Sequence, residues 1–106
     1  MEELENVPFE LILYAGNGRS YSMEAIQEAK KGNYEKADEL IKKASEELGK
    51  AHEFQTKLIQ TEASGKAGSV NILLVHAQDH LMTAMTVRDL ALEIVELYKV
   101  KVGRTI

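Results

Sequence analysis

The run Val75-His76-Ala77-Gln78-Asp79-His80-Leu81-Met82-Thr83 gathers the residue types best suited to chemistry in this chain. At about 100° per helical residue, Asp79 falls about 60° to one side of His76, Thr83 about 20° to that side, and His80 about 40° to the other. Four polar groups therefore share one face. Gln78 lies about 200° round and points elsewhere. Continued along the chain, the same face reads Val87, Leu90, Ala91, Ile94 and Leu97. His76 and Asp79 thus stand on an otherwise apolar line, expected to be buried or to lie at an interface. Imidazoles and carboxylates on such a line are costly unless they are paired or used.

Three chemistries fit that cluster. In the first, His76 and Asp79 hydrogen-bond within a core and do nothing more. In the second, His76 and His80 share a zinc ion, since histidines at i and i+4 project from one helix face, as in H-E-x-x-H. Here Ala77 follows the first histidine where that motif has its general-base glutamate, and His52, the third histidine, lies far off in the chain. In the third, a neutral imidazole attacks phosphorus and forms a phosphoramidate of high transfer potential. Spacing alone does not choose among them. A phosphorylated histidine would need an outside donor, because the chain has no G-x-x-x-x-G-K-[ST] loop, no kinase Gly-rich loop and no strand to lead into one.

The elements that must position this cluster are long helices. Gly32-Asn33 is one break and Ala63-Ser64-Gly65-Lys66-Ala67-Gly68-Ser69 the other. Three segments remain, roughly 8–31, 34–62 and 70–101, within a single helical domain spanning 1–106. Pro8 suits a first-turn position, where its missing N–H is no loss. The middle segment sets Ala37, Leu40, Ile41, Ala44, Leu48, Ala51, Leu58 and Ile59 at spacings of three and four, one apolar stripe. Gln55 falls on that stripe and needs a partner. The first segment aligns Val7, Leu11, Tyr14, Tyr21, Ala25 and Ala29, with Ile12 and Ile26 beside them. Its middle, Ala15-Gly16-Asn17-Gly18-Arg19-Ser20, holds two glycines that each cost about 1 kcal/mol in a helix relative to Ala. Close approach of a neighbour or a kink would favour glycine there. The third segment carries two apolar bands: Val70, Leu74, Ala77, Leu81, Ala84 and Met85, then Leu73, Val87, Leu90, Ala91, Ile94 and Leu97. A three-helix hairpin covers one of them. The expected fold is therefore an all-α antiparallel three-helix bundle that oligomerises through its third helix.

Composition removes several classes of function. There is no cysteine, so thiolate chemistry and Cys-based zinc sites are excluded. A formal charge of −4 without a basic stripe argues against nucleic-acid binding. The acidic start Met1-Glu2-Glu3-Leu4-Glu5 is unlike a signal peptide, and no run approaches the length of a membrane span. A cytoplasmic location without membrane insertion is expected.

The histidine run closely resembles the phosphorylation-site stretch of the IIA component of the lactose/cellobiose/chitobiose branch of the phosphoenolpyruvate-dependent sugar phosphotransferase system. Ala15-Gly16-Asn17-Gly18-Arg19-Ser20 resembles the A-G-x-[AG]-R-S segment of the family's first helix. Ala51-His52-Glu53-Phe54-Gln55-Thr56 resembles A-H-x-x-Q-T of its second, and Glu96-Leu97-Tyr98 the close of its third. These matches occur in order and span roughly residues 8–101. Family members often have alanine where Gly18 stands.

That resemblance implies a homotrimer of nine helices. It implies that His76 takes a phosphoryl group from phospho-HPr and passes it to a cysteine of a IIB component, during uptake of a β-disaccharide such as lactose, cellobiose or chitobiose. Which sugar is imported is not legible, because selectivity lies in the IIC component. The resemblance also implies that Asp79 meets its two symmetry copies and holds a divalent metal, Mg²⁺ by chemistry, one per trimer. Converging carboxylates repel strongly, and a hard cation neutralises them. His80 either orients or receives the phosphoryl group, or merely packs. His52 and Gln55 are expected to be structural contacts between helices. The rival reading is a helical protein–protein adaptor without phosphoryl transfer.

Overall fold

The computed structural model describes residues 2–65 and 71–103, with side chains from residue 7 onward. Three helices make up the fold: α1 (Glu2–Lys30), α2 (Tyr34–Ala63) and α3 (Ile72–Lys101). No strand occurs among the described residues, so the all-α expectation holds. Lys66–Ser69 of the second break and Val70 of the first apolar band lie outside the described residues.

Local chemistry sets the ends. After α1, Gly32 adopts φ 84°, a left-handed conformation that glycine enters without Cβ strain. Its N–H donates to the Ala29 carbonyl at 3.0 Å, and the Asn33 N–H to the Glu28 carbonyl at 2.9 Å. That pair of bonds closes the helix in a Schellman motif. Asn71 caps α3: its side-chain oxygen accepts from the Leu74 N–H at 2.9 Å, satisfying one of the donors a helix start leaves open. The first helix begins earlier than expected, at Glu2 rather than near residue 8, and Pro8 lies inside it. The first-turn expectation for Pro8 is therefore corrected. The missing N–H removes one i→i−4 bond, and the packing of Val7 and Leu11, both fully buried, holds the helix through it.

The bundle is a rod of 54 × 19 × 18 Å. Helix α1 packs extensively on both partners, while α2 and α3 meet over a smaller seam. Three polar ties mark that seam and run in antiparallel order: Gln55–Gln78, Ser45–Arg88 and Asp38–Lys99. Two apolar clusters fill the interior. One combines Val7, Leu11, Ala15, Leu48, Ala51, Ala77, Leu81 and Ala84; the other combines Ala25, Ala29, Tyr34, Ala37, Leu40, Ile41, Ala91 and Val95. The first cluster seats the part of α3 that bears His76. Alanine recurs in both, which lets three helices approach closely.

Gly18 explains one of the two glycines in α1. A Cβ there would lie 2.6 Å from Leu48 Cγ and 2.7 Å from its Cδ2, so the close-approach expectation holds, with Leu48 of α2 as the neighbour. Gly16 has no neighbour within 4 Å of such a Cβ. Ser22, fully buried, satisfies its hydroxyl by donating to the Gly18 carbonyl one turn back at 2.8 Å.

Candidate functional site

Helix α3 sets the candidate site by what it buries. Ala77, Leu81, Ala84, Ala91 and Val95 face inward and are fully buried or nearly so. Ala91 therefore belongs with the core residues and not with the second band. It stands about 40° from the line through Ala77 and Val95, close enough to be drawn inward. The remainder of the second band splits. Leu90 and Leu97 are 58% and 66% exposed, Leu73 lies at 38%, and Val87 and Ile94 are half-buried. Among the described residues, the line that holds His76 and Asp79 is thus largely outward-facing on the single chain, with His76, Asp79, Leu90 and Leu97 exposed.

On this surface His76 and Asp79 are exposed and His80 is half-buried. The two histidines touch. Their Nε2 atoms lie 3.1 Å apart, and the rings meet edge to face with centroids 4.6 Å apart. The spacing i, i+4 is what allows it, since side chains four apart stack along one helix face. A nitrogen–nitrogen hydrogen bond needs one N–H and one lone pair. If His80 donates, His76 Nε2 keeps a lone pair and carries its own proton on Nδ1; if His76 donates, the roles reverse.

Gln78 goes the other way, as its angle required. Its Oε1 accepts from Gln55 Nε2 at 2.9 Å, which also supplies the partner that Gln55 lacked on its apolar stripe. The glutamine pair ties α3 to α2 and fixes the rotation of α3 about its axis, so His76 and His80 are held on the flank turned away from α2. Thr83, expected on the same face, donates its hydroxyl to the Asp79 carbonyl one turn back at 2.8 Å. With the His80 carbonyl 3.2 Å away as a second acceptor, that bond turns the Thr83 oxygen toward the backbone of its own helix. His52 is exposed on α2.

Asp79 stands in neither histidine contact. Among the described residues, no group of three His, Cys, Asp or Glu side chains could hold a metal ion within one chain. One exposed carboxylate per chain is compatible with a metal only where copies converge.

The family model for the lactose/cellobiose-specific IIA subunit of the phosphotransferase system matches residues 6–99. The chain belongs to that IIA family. Among its relatives, the lichenan-specific phosphotransferase enzyme IIA component of Bacillus subtilis is 56% identical over 98 residues, covering 92% of this chain and 89% of the relative. The crystal structure of the cellobiose-specific enzyme IIA from Bacillus anthracis superposes with a TM-score of 0.92 at 51% identity, covering 96% of this chain and 94% of that one. A IIA(chitobiose) chain from a solution structure of its complex with HPr, in Escherichia coli, gives a TM-score of 0.80 at 40% identity, covering 93% and 96%. As a IIA chain it is a component of a sugar phosphotransferase system. Among the described residues no helix is long and apolar enough to cross a membrane.

Two features escape sequence reasoning. The direct contact of His76 with His80 was within reach of the spacing, but its atoms were not. Burial of Ser22 left no signal, because a serine that bonds its own helix behaves as a small core residue.

Proposed function

We propose that His76 is the phosphoryl acceptor of this IIA chain, taking the group from phospho-HPr and yielding it to a cysteine of a IIB component in the cytoplasm. The supporting observation is the exposed His76 imidazole, oriented by a neighbouring histidine, on a chain of this family whose relative is solved in complex with HPr. In this arrangement His80 Nε2–H donates to the single lone pair of His76 Nε2, whose own proton sits on Nδ1, and that hydrogen bond opens as the donor's phosphoryl group arrives. As Nε2 attacks, the bond from phosphorus to the donor's nitrogen breaks, a bond from phosphorus to His76 Nε2 forms, and the His76 Nδ1 proton passes through solvent to the donor imidazole, so both rings end neutral. The N–H of His80, released from the lone pair, then turns to a phosphoryl oxygen. Transfer of this kind depends on positioning and charge stabilisation more than on covalent assistance. The exposed flank suits two partners that use the site in turn. The imported sugar would be a β-linked disaccharide or short oligosaccharide, and this component would not touch it.

Asp79 fits a shared structural metal. An exposed carboxylate on a line with Leu90 and Leu97 is arranged to meet copies of itself when those leucines are covered by a trimer. A hard divalent cation such as Mg²⁺ would neutralise three carboxylates there, one ion per three chains. The metal would hold subunits together; the phosphoryl step runs on His76.

The deciding experiment mixes the chain with phosphoenolpyruvate, the general phosphotransferase proteins and then a IIB component, and follows intact mass. One added phosphate that leaves on addition of IIB is expected. His76→Gln should abolish uptake while preserving helicity and assembly. Uptake by that variant would refute the assignment, and absence of any uptake by the unaltered chain would favour the adaptor reading.

A further inference from the structure

Outside the phosphoryl chemistry, the same histidine pair has the geometry of a chelate. The Nε2 atoms of His76 and His80 lie 3.1 Å apart on consecutive turns of one rigid helix. Two imidazoles bound to one ion at about 2.0–2.1 Å place their nitrogens about 2.9 Å apart at a right angle and about 3.4 Å apart at a tetrahedral angle. The observed separation falls between those values, so both nitrogens reach a single ion once the rings turn from their mutual hydrogen bond to aim both lone pairs at it, with no change in the helix. His76 is exposed and His80 half-buried, so an ion has a path from solvent. The fully buried Ala77 and Leu81, each next after one of the histidines, anchor the helix, so the two rings project from a fixed backbone and not from a mobile loop.

We propose that His76 and His80 form an open, two-histidine site for a divalent late transition metal such as Zn²⁺, and that the metal blocks phosphoryl acceptance by occupying the His76 lone pair. Imidazole nitrogen selects zinc, copper and nickel over magnesium. This places the site in a different class from the oxygen site proposed for Asp79. Among the described residues no third His, Cys, Asp or Glu joins the pair, so water completes the coordination and the ion exchanges readily. Binding requires both Nε2 atoms to present lone pairs. The one proton shared between them moves through solvent to the Nδ1 of its own ring, so neutral histidines release no net proton. Once His76 carries phosphate on Nε2, that lone pair is gone and the chelate cannot form. Metal and phosphoryl group therefore exclude one another at a single atom. The inhibitory part of the proposal rests on His76 as acceptor; the metal site itself does not.

Isothermal titration of metal-free protein with Zn²⁺, with millimolar Mg²⁺ present, tests the site without any phosphoryl transfer. One Zn²⁺ per chain is expected. His76→Gln and His80→Gln should each weaken binding by at least about tenfold, the lower end of what loss of even an outer-shell partner costs a metal site. His52→Gln should bind as the unaltered chain does. Unchanged zinc affinity in His80→Gln, or equal loss in His52→Gln, overturns the site. Phosphate uptake is then followed by intact mass with and without saturating Zn²⁺, each variant compared with its own metal-free rate. Uptake by the unaltered chain should stop and return on adding a chelator, while any uptake by His80→Gln should lose its zinc sensitivity. Undiminished uptake at saturating zinc overturns the block. If no uptake occurs even without metal, the acceptor assignment fails and the titration still decides the chelate.

Discussion

Replacing Gly18 with alanine should reveal a conflict confined to one side chain. Two opposing effects act there. Alanine is favoured over glycine in a helix by about 0.8–1.0 kcal/mol. Against this, the new Cβ would stand 2.6 Å from Leu48 Cγ and 2.7 Å from its Cδ2. Leu48 is 3% exposed and has no open side into which to retreat. Overpacking of this kind costs about 1–3 kcal/mol, so the net effect is a loss of up to about 2 kcal/mol. In a Leu48→Ala background the obstruction disappears, and the Ala44 carbonyl oxygen at 3.4 Å is an ordinary contact. There the same Gly18→Ala change should stabilise by about 1 kcal/mol, although Leu48→Ala by itself lowers stability by about 2–5 kcal/mol. The sign of one substitution thus inverts with its neighbour, giving a coupling of about 1–3 kcal/mol. Gly16→Ala serves as the reference, because nothing lies within 4 Å of its added Cβ. Urea unfolding followed by far-ultraviolet circular dichroism measures all five proteins, at one protein concentration because the proposed assembly would make stability concentration-dependent. Equal stabilisation by Gly18→Ala in both backgrounds would show that Leu48 does not require the glycine.

Asp79→Asn should empty the metal site proposed there and weaken the proposed trimer, read by elemental analysis and light scattering; unchanged metal content would remove Asp79 from that role. Leu90→Lys introduces a charge on the outward line where Leu90 is 58% exposed, and should lower the assembled mass while helicity persists. An unaltered mass would mean that this line is not the subunit contact. Glu47 supplies a pH test: its carboxyl is held below its ordinary value of 4.5 chiefly by the hydrogen bond from Lys50, with Asn17 adding to it and burial opposing. A lowered folded value means the unfolded chain binds the proton more readily, so this stabilisation is present above pH 4.5 and lost as pH falls through the lower folded value. Glu47→Gln should flatten the acid limb of the stability profile, and parallel profiles for the two proteins would exclude the effect.

Much of the site was legible because periodicity and motif pointed the same way. His76 and His80 share a face by spacing alone, and Gln78 leaves it by the same arithmetic. Gln55 announced a missing partner by being polar on an apolar stripe, and the partner proved to be Gln78. What periodicity could not give was the width of the buried face. Ala91 is small enough to fit either band, and only the approach of α1 and α2 drew it inside. Pro8 misled for a related reason: the preference for a first-turn position concerns one lost hydrogen bond, whereas Val7 and Leu11 bind that turn to the core. The outward face of α3 stayed ambiguous because its meaning depends on neighbours outside the single chain. An apolar line with one carboxylate reads as burial until the structure shows Asp79, Leu90 and Leu97 exposed on it.

The dominance of α1 in the packing has a consequence for the order in which the molecule is made. Helices α1 and α2 are adjacent in the chain and form a broad seam, so they can pair while α3 is still being synthesised, with little loop to close. Helix α3 then docks chiefly on α1, two elements back, and gains only the narrower seam with α2. Until it does, His76 and His80 belong to an amphipathic segment with no seat, and the Gln55–Gln78 bond that fixes their orientation does not exist. Competence for the proposed phosphoryl chemistry would therefore arrive with the docking of α3, and a chain caught before it would be a helical hairpin with the histidines attached but not aimed.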